Sequence, residues 1–467
     1  MNANPRNVKL HTELESLRKP AVALYASLAT LLIAYYSHMI WVQGFAWPVQ
    51  ILAYLALILL LAVPVSPLFG LASYLLLAHG LPRYGALHDL LLANRAFEWI
   101  CTLLGLGMWL WLRRTQERPD FFRPATAFML LFMVWIVVAL LSVWTGDSYW
   151  APPLRHHPLL FFQGLILYLL ASQYLHEPRR TFLLALVISM IPALRWFLQS
   201  FQELHLEGDT AQISAIALAV SFVGALHAPE RFMRALFALA GINALAMLVV
   251  TQNRAAAVTA LFALVILWLT GRHKLPLFVL ALLAMVALAQ LTGTHDYWNR
   301  FHAIWSPEAS HATASLDRAT VQERLALWKA GIEIIKDHPW MGVGPGNFSN
   351  IVGFYNPSIA NLTVHNSYLA ISAEAGGLGL LLFVALLASV LIALIKGLRH
   401  TQEARFHPSR MTLAIIVGFL AGAMFISRHD SPLLFLMLGW AVAITRPTRS
   451  ARVRKRFMRA NRSAQIS

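Results

Sequence analysis

The sequence predicts an all-α polytopic membrane protein with 12–14 transmembrane helices, and three observations predict it. The 467 residues are 58% hydrophobic and only 12% charged. A soluble domain carries about 25% charged residues, so this chain cannot cover a core of its size with polar surface. The mean hydropathy is +0.61. The apolar residues also come in long continuous runs, unlike the alternating ~10-residue strands of a membrane barrel. A soluble enzyme, a fibrous protein and a disordered chain are therefore excluded.

A span needs roughly 20 apolar residues. Runs of that order fall at 20–41, 47–64, 66–80, 92–112, 124–144, 158–175, 181–199, 211–227, 235–251, 254–271, 275–292, 374–396, 411–426 and 431–446. The second and third are short and divided by Pro64 and Pro67, so twelve and fourteen spans both remain open. The first run is too long for the apolar part of a signal peptide, and no small-x-small pattern follows it. It is expected to stay as the first span.

An even number of spans puts both termini on one side. The net charge is +16, and 26 of the 37 Lys and Arg fall on that same side. They include Arg113, Arg114, Arg179, Arg180, Arg231, Arg234 and the run from Arg446 to Arg462. The positive-inside rule makes this face cytoplasmic. The expected organisation is an N-terminal bundle (1–292), a large periplasmic loop (293–366), C-terminal helices (367–446) and a basic cytoplasmic tail (447–467). The tail suits anionic membrane lipid better than nucleic acid. The one cysteine, Cys101, lies in an apolar run, which excludes an intramolecular disulfide and a cysteine zinc site.

Within the loop, 317–337 reads as an amphipathic helix. Val321, Leu325, Trp328, Ile332 and Ile335 recur at spacings of 4, 3, 4 and 3 and form one apolar stripe. Thr320 to Glu323 fits a capping box, and Pro339 ends the helix. The stripe is expected to rest on the membrane surface or on the bundle.

The few outside cations are the candidate chemistry. Arg195 lies near the outer end of a span, Arg254 between two spans and Arg324 on the amphipathic helix. The planar fork of arginine suits phosphate, although each could instead snorkel to lipid headgroups. His365 stands where the loop meets the next span. A neutral imidazole there can take a proton from a hydroxyl, while His365-Asn366-Ser367 also reads as a helix-capping cluster. His338 is a second candidate base. Gly344 and Gly346 could turn backbone N–H groups toward an oxyanion. Neither a DxD nor an HExxH metal motif is present, and no nucleotide P-loop. Acidic residues are scarce within the spans, which disfavours an ion-coupled transporter.

Three stretches carry a resemblance. They are Arg324 through Trp328, IIKDHPWMGVGPGNF at 334–348 and HNSYLAISAEAGGLG at 365–379. They resemble the O-antigen ligase/polymerase superfamily of bacterial membrane glycosyltransferases. His365-Asn366, nine residues, Gly376, two residues and Gly379 fit its pattern H-[NSQ]-x9-G-x-x-G. TQNRAAAVTA at 251–260 is similar to its Ser-Arg-Gly/Ala segment, with Asn253 in place of Ser.

The resemblance implies transfer of O-antigen from undecaprenyl pyrophosphate to a sugar hydroxyl of lipid A–core. The reaction would run on the periplasmic face of the inner membrane, with no metal or other cofactor. His365 or His338 would be the base. Arg195, Arg254 and Arg324 would hold pyrophosphate, with Asn366, Gly344 and Gly346 lining the site. A repeat-unit polymerase and a protein O-oligosaccharyltransferase are the other readings within the superfamily. Only two expected spans and a tail follow residue 410, which disfavours the oligosaccharyltransferase. A polysaccharide flippase or transporter is the reading of another class.

Overall fold

The computed structural model describes residues 5–42, 47–80, 96–115, 123–145, 156–199, 208–251, 253–271, 312–399 and 408–445. Among them all regular structure is helical. The α-helices in chain order are α1 (Pro5–Val42), α2 (Trp47–Ile58), α3 (Pro67–Leu75), α4 (Ala96–Thr115) and α5 (Pro124–Thr145). Then come α6 (His156–Tyr174), α7 (Pro178–Gln199), α8 (Gly208–His227), α9 (Arg231–Thr251) and α10 (Arg254–Thr270). The last five are α11 (Ala312–Asp337), α12 (Phe348–Tyr355), α13 (Ser367–Arg399), α14 (Pro408–Gly422) and α15 (Pro432–Ile444).

Thirteen of the expected spans coincide with α1–α10 and α13–α15. The run 275–292, the loop segment 293–311 and the tail 447–467 lie outside the described residues. Six helical stretches are long and apolar enough to cross a bilayer: Val22–Val42, Pro124–Val143, Pro178–Leu198, Thr210–His227, Arg231–Thr251 and Ser367–Leu398. The chain is an all-α polytopic membrane protein.

Lipid is as apolar as a leucine side chain, so helices in a bilayer associate through close packing and buried polar contacts. Both occur here. The Phe132 ring on α5 packs edge-on against Phe161 of α6 and tilted against Phe383 of α13 and Phe435 of α15, at centroid distances of 5.9, 5.6 and 6.4 Å. Gly418 and Gly422, one turn apart on α14, face Ala255, Thr259 and Ala263 of α10. A Cβ at Gly418 would run into the Thr259 carbonyl, so the two backbones pass as closely as only small residues allow. Gln212 Nε2 on α8 donates to Thr259 Oγ1 at 2.9 Å and completes a buried polar joint at the same place.

These contacts gather particular helix ends. The starts of α8 and α10 meet the finish of α14. Ser367 N, at the start of α13, donates to Ala423 O just beyond α14 at 2.8 Å. Arg254 and His365 therefore stand at one end of the bundle.

Residues 324–373 build a second, smaller core there. Leu327, Ala330 and Ile334 of α11 pack with Val343, Phe348, Ile351, Val352, Ile359, Val364, Ala370 and Ala373. The expected stripe divides between this core and the outer surface. Leu325 and Ile332 are exposed, and Trp328 and Ile335 lie at the edge. Gly331 lies on the same face, close to Phe348 and Val364.

Candidate functional site

α11 runs parallel to the first third of α13. At the top, Trp328 Nε1 donates to Val364 O at 3.0 Å. At the bottom, Gly377 N donates to Pro339 O at 2.7 Å. Tyr355 of α12 braces the lower end, its hydroxyl donating to Asp337 Oδ2 at 2.7 Å. Burial first, then Asp337, pushes that phenol up to about 12.

The upper rung carries the charges. Asn253 caps α10, its Oδ1 accepting from Ala256 N at 3.0 Å, and this sets Arg254 on the first turn. Arg324 feels three influences. Burial lowers its proton affinity most, the Arg254 charge lowers it further, and Glu323 raises it. A guanidinium stays charged in proteins even so. His365 is half-buried, and burial followed by the Arg324 charge holds its imidazole below the ordinary 6.5, against Glu323. The result is two cations and one uncharged imidazole within electrostatic reach of each other.

The backbone at His365 is unusual, with φ at +50°. A side chain rarely adopts this region without glycine's freedom. The next residues show what holds it. Asn366 is buried, and its Oδ1 accepts from Tyr368 N at 3.0 Å and Leu369 N at 3.1 Å. Ser367 Oγ donates to Ile426 O and accepts from Arg428 N, both at 2.7 Å. The capping cluster read from the sequence is real, and it aims the histidine before it. Asn366 acts here as the N-cap, so its amide oxygen is already engaged.

The lower rung is a glycine loop wedged into a broken helix. At Gly376, α13 leaves helical geometry with φ +69° and ψ −176°. A break frees carbonyls that lose their helical partners. The carbonyls of Ala373, Glu374 and Ala375 accept from Val343 N (2.8 Å), Gly344 N (2.9 Å) and Trp135 Nε1 (2.8 Å). Glu374 is buried, and its Oε2 accepts from Gly346 N at 2.9 Å and lies 3.2 Å from His429 Nε2.

The N–H groups of Gly344 and Gly346 donate to the backbone carbonyl and the carboxylate of Glu374, so they brace the loop. His338 begins the turn after α11, 14 residues beyond Arg324, or about 21 Å of helix rise. It belongs to the lower rung, at the opposite end of α11 from Arg324. Arg195, buried on α7 just after Pro192, is placed through α8, which packs against both α7 and α10. Sequence reasoning passed over the Glu374–His429 pair. The available signals were a lone carboxylate inside the nine-residue spacer and the polar Arg428-His429-Asp430 between two apolar runs.

A polytopic membrane protein with arginines and an uncharged histidine at one bundle end has the makings of a group-transfer enzyme for an anionic donor. Residues 239–384 match the family model described as O-antigen ligase, and this segment is an O-antigen ligase family domain. The match takes in Arg254, Arg324, His338, His365 and Glu374, and leaves Arg195 and His429 outside it. Comparison with curated proteins gives no match. The matched segment covers 146 of the 467 residues.

Proposed function

We propose that this chain is an O-antigen ligase of the inner membrane. It would transfer O-antigen from undecaprenyl pyrophosphate to a sugar hydroxyl of lipid A–core. Both termini would be cytoplasmic, with the end of the bundle holding His365 in the periplasm. The observation that carries the reading is the set Arg254, Arg324 and His365, which combines paired cations with a histidine kept neutral beside them.

In the reaction, the acceptor oxygen attacks the anomeric carbon from the side opposite the phosphate. The new C–O bond forms as the bond to the pyrophosphate oxygen breaks, so the anomeric centre inverts. The acceptor proton passes to His365. A positioned base of this kind contributes about 10²–10⁴-fold. The leaving pyrophosphate gathers negative charge, which Arg254 and Arg324 meet with charge-assisted hydrogen bonds. Arg195 would extend that anion site. Arg324 serves the base as well, because burial first and then its charge lower the proton affinity of His365 and leave it able to accept.

The test is reconstitution of the purified chain with lipid-linked O-antigen and lipid A–core in vesicles. Glycan joined to the core is the expected product. Chain lengthening on the carrier alone would instead make the protein a polymerase, and movement of intact donor across the bilayer a flippase.

A further inference from the structure

α13 is too long for the membrane it enters. Its 33 residues would rise about 50 Å if straight, against a hydrocarbon core of about 30 Å. The sequence shows where the excess lies. Leu378 to Ile395 is almost wholly apolar and ends at Lys396 and Arg399, whereas Ser367 to Ala375 holds Ser372 and Glu374. Eighteen residues rise about 27 Å, which matches the bilayer core. The hydrocarbon therefore begins just past the break at Gly376.

Along this embedded part, Leu378, Leu381, Val384, Ile392 and Ile395 are exposed. Their spacing puts them on one side of the helix, which the bundle leaves to lipid. Gly377, also exposed, heads the same side. The turn after α11 is seated on it. Pro339 O accepts from Gly377 N, and the Trp340 carbonyl lies over Gly376 so closely that any Cβ there would collide. The turn leaves Trp340 77% exposed and Met341 42% exposed. Facing water, such a pair would cost free energy. At a bilayer boundary an indole is at home, with its ring against acyl chains and its N–H toward headgroups.

The exposed side of α11 leads the same way. Leu325 and Ile332 share it with Lys329 and Lys336. An apolar strip edged by lysines suits a lipid surface, where the amines reach the headgroups.

We propose that the Trp340–Met341 turn is an interfacial anchor, seated in the leaflet on the His365 side at the head of α13's lipid-facing stripe. Its partner is the lipid surface. Through the Pro339–Gly377 bond and the glycine loop, it holds α11 at a set depth against the bilayer.

The test uses the full chain in phosphatidylethanolamine/phosphatidylglycerol vesicles. Cys101 is fully buried, so a spin label will go to an introduced surface cysteine. Labels are placed at Met341→Cys, at Leu381→Cys as the lipid reference and at Glu230→Cys, exposed in the turn between α8 and α9, as the aqueous reference. Accessibility to oxygen is compared with accessibility to a water-soluble nickel chelate. The 341 label should favour oxygen, close to the 381 label. A nickel-favouring value like that at 230 would overturn the anchor. Shielding from both reagents would overturn it too, since a protein surface would then cover the turn. Trp340→Phe offers a second reading: quenching of tryptophan emission by brominated lipid should fall, and unchanged quenching would place Trp340 outside the lipid. Both readouts are independent of catalysis and leave the ligase reading to its own assay.

Discussion

Glu374 Oε2 lies 3.2 Å from His429 Nε2, and both side chains are buried. Glu374 sits on α13 and His429 in the turn between α14 and α15, so the contact closes a triangle with the glycine loop through Gly346 N. Removing the carboxylate in Glu374→Ala strands a buried N–H and the imidazole. An unsatisfied buried donor costs about 1–3 kcal/mol. Thermal unfolding in detergent should show that loss. Glu374→Gln should lose less, because its amide oxygen can still accept from Gly346. Equal losses for both variants would mean that charge, and not the hydrogen bond, holds the loop.

His365 tests the base assignment. His365→Ala should cut turnover by about 10²–10⁴-fold. His365→Asn is the cleaner variant, because asparagine tolerates positive φ yet cannot act as a base at neutral pH. It should fold like the parent and stay inactive. His338→Ala should keep turnover within a few-fold, since it lies at the other end of α11. A dead His338→Ala beside an active His365→Asn would reverse the assignment.

The pH profile follows from the depressed proton affinity of His365. A base must be unprotonated, so activity should persist below pH 6.5, the ordinary histidine value, and fall only as pH drops through the lower folded value. Arg324→Gln removes a charge that lowers it, so the acid limb of kcat/KM should move to higher pH. Stability carries the same sign. Between the two values the unfolded chain binds the proton and the folded chain does not, so stability declines as pH falls through that window. An acid limb that stays in place in Arg324→Gln would separate the two residues electrostatically.

The arginines should act on the departing phosphate. Arg254→Ala is expected to lower kcat by about 10²–10³-fold, the usual size for one lost transition-state donor. Arg254→Lys should recover part of it, since an ammonium restores the charge without the fork. The comparison is single-turnover transfer with saturating donor.

Close packing below Arg254 should matter as well. Gly422→Val would drive a side chain onto Thr259 and Ala255 at the start of α10. Overpacking of this kind costs about 1–3 kcal/mol. A drop in unfolding temperature together with weaker donor binding is expected, because α10 carries Arg254.

Much of this was legible in the sequence. Long apolar runs mark spans whatever they pack against, so Pro124 to Thr145 or Arg231 to Thr251 could be placed without a partner. The Asn366 cap and the Arg254 position were equally local. Register was not. α11 carries two apolar stripes, one through Leu325 and Ile332 and the other through Leu327, Ala330 and Ile334, and periodicity cannot say which meets protein. His338 and the glycines stood out in the sequence by residue type, but α11 runs between Arg324 and His338 and the glycine loop is bonded to Glu374, which local spacing does not reveal. Glu374 and His429 are 55 residues apart, and nothing local announces that they touch.

The backbone at His365 narrows what descent with modification can do there. Its positive φ admits glycine, asparagine or aspartate with little strain and resists branched residues. The transfer chemistry asks separately for an imidazole. A relative that keeps the fold but abandons catalysis should therefore drift to Gly, Asn or Asp at this one position while retaining the Asn366 cap behind it. That pattern would let an inactive descendant be recognised by its spelling alone.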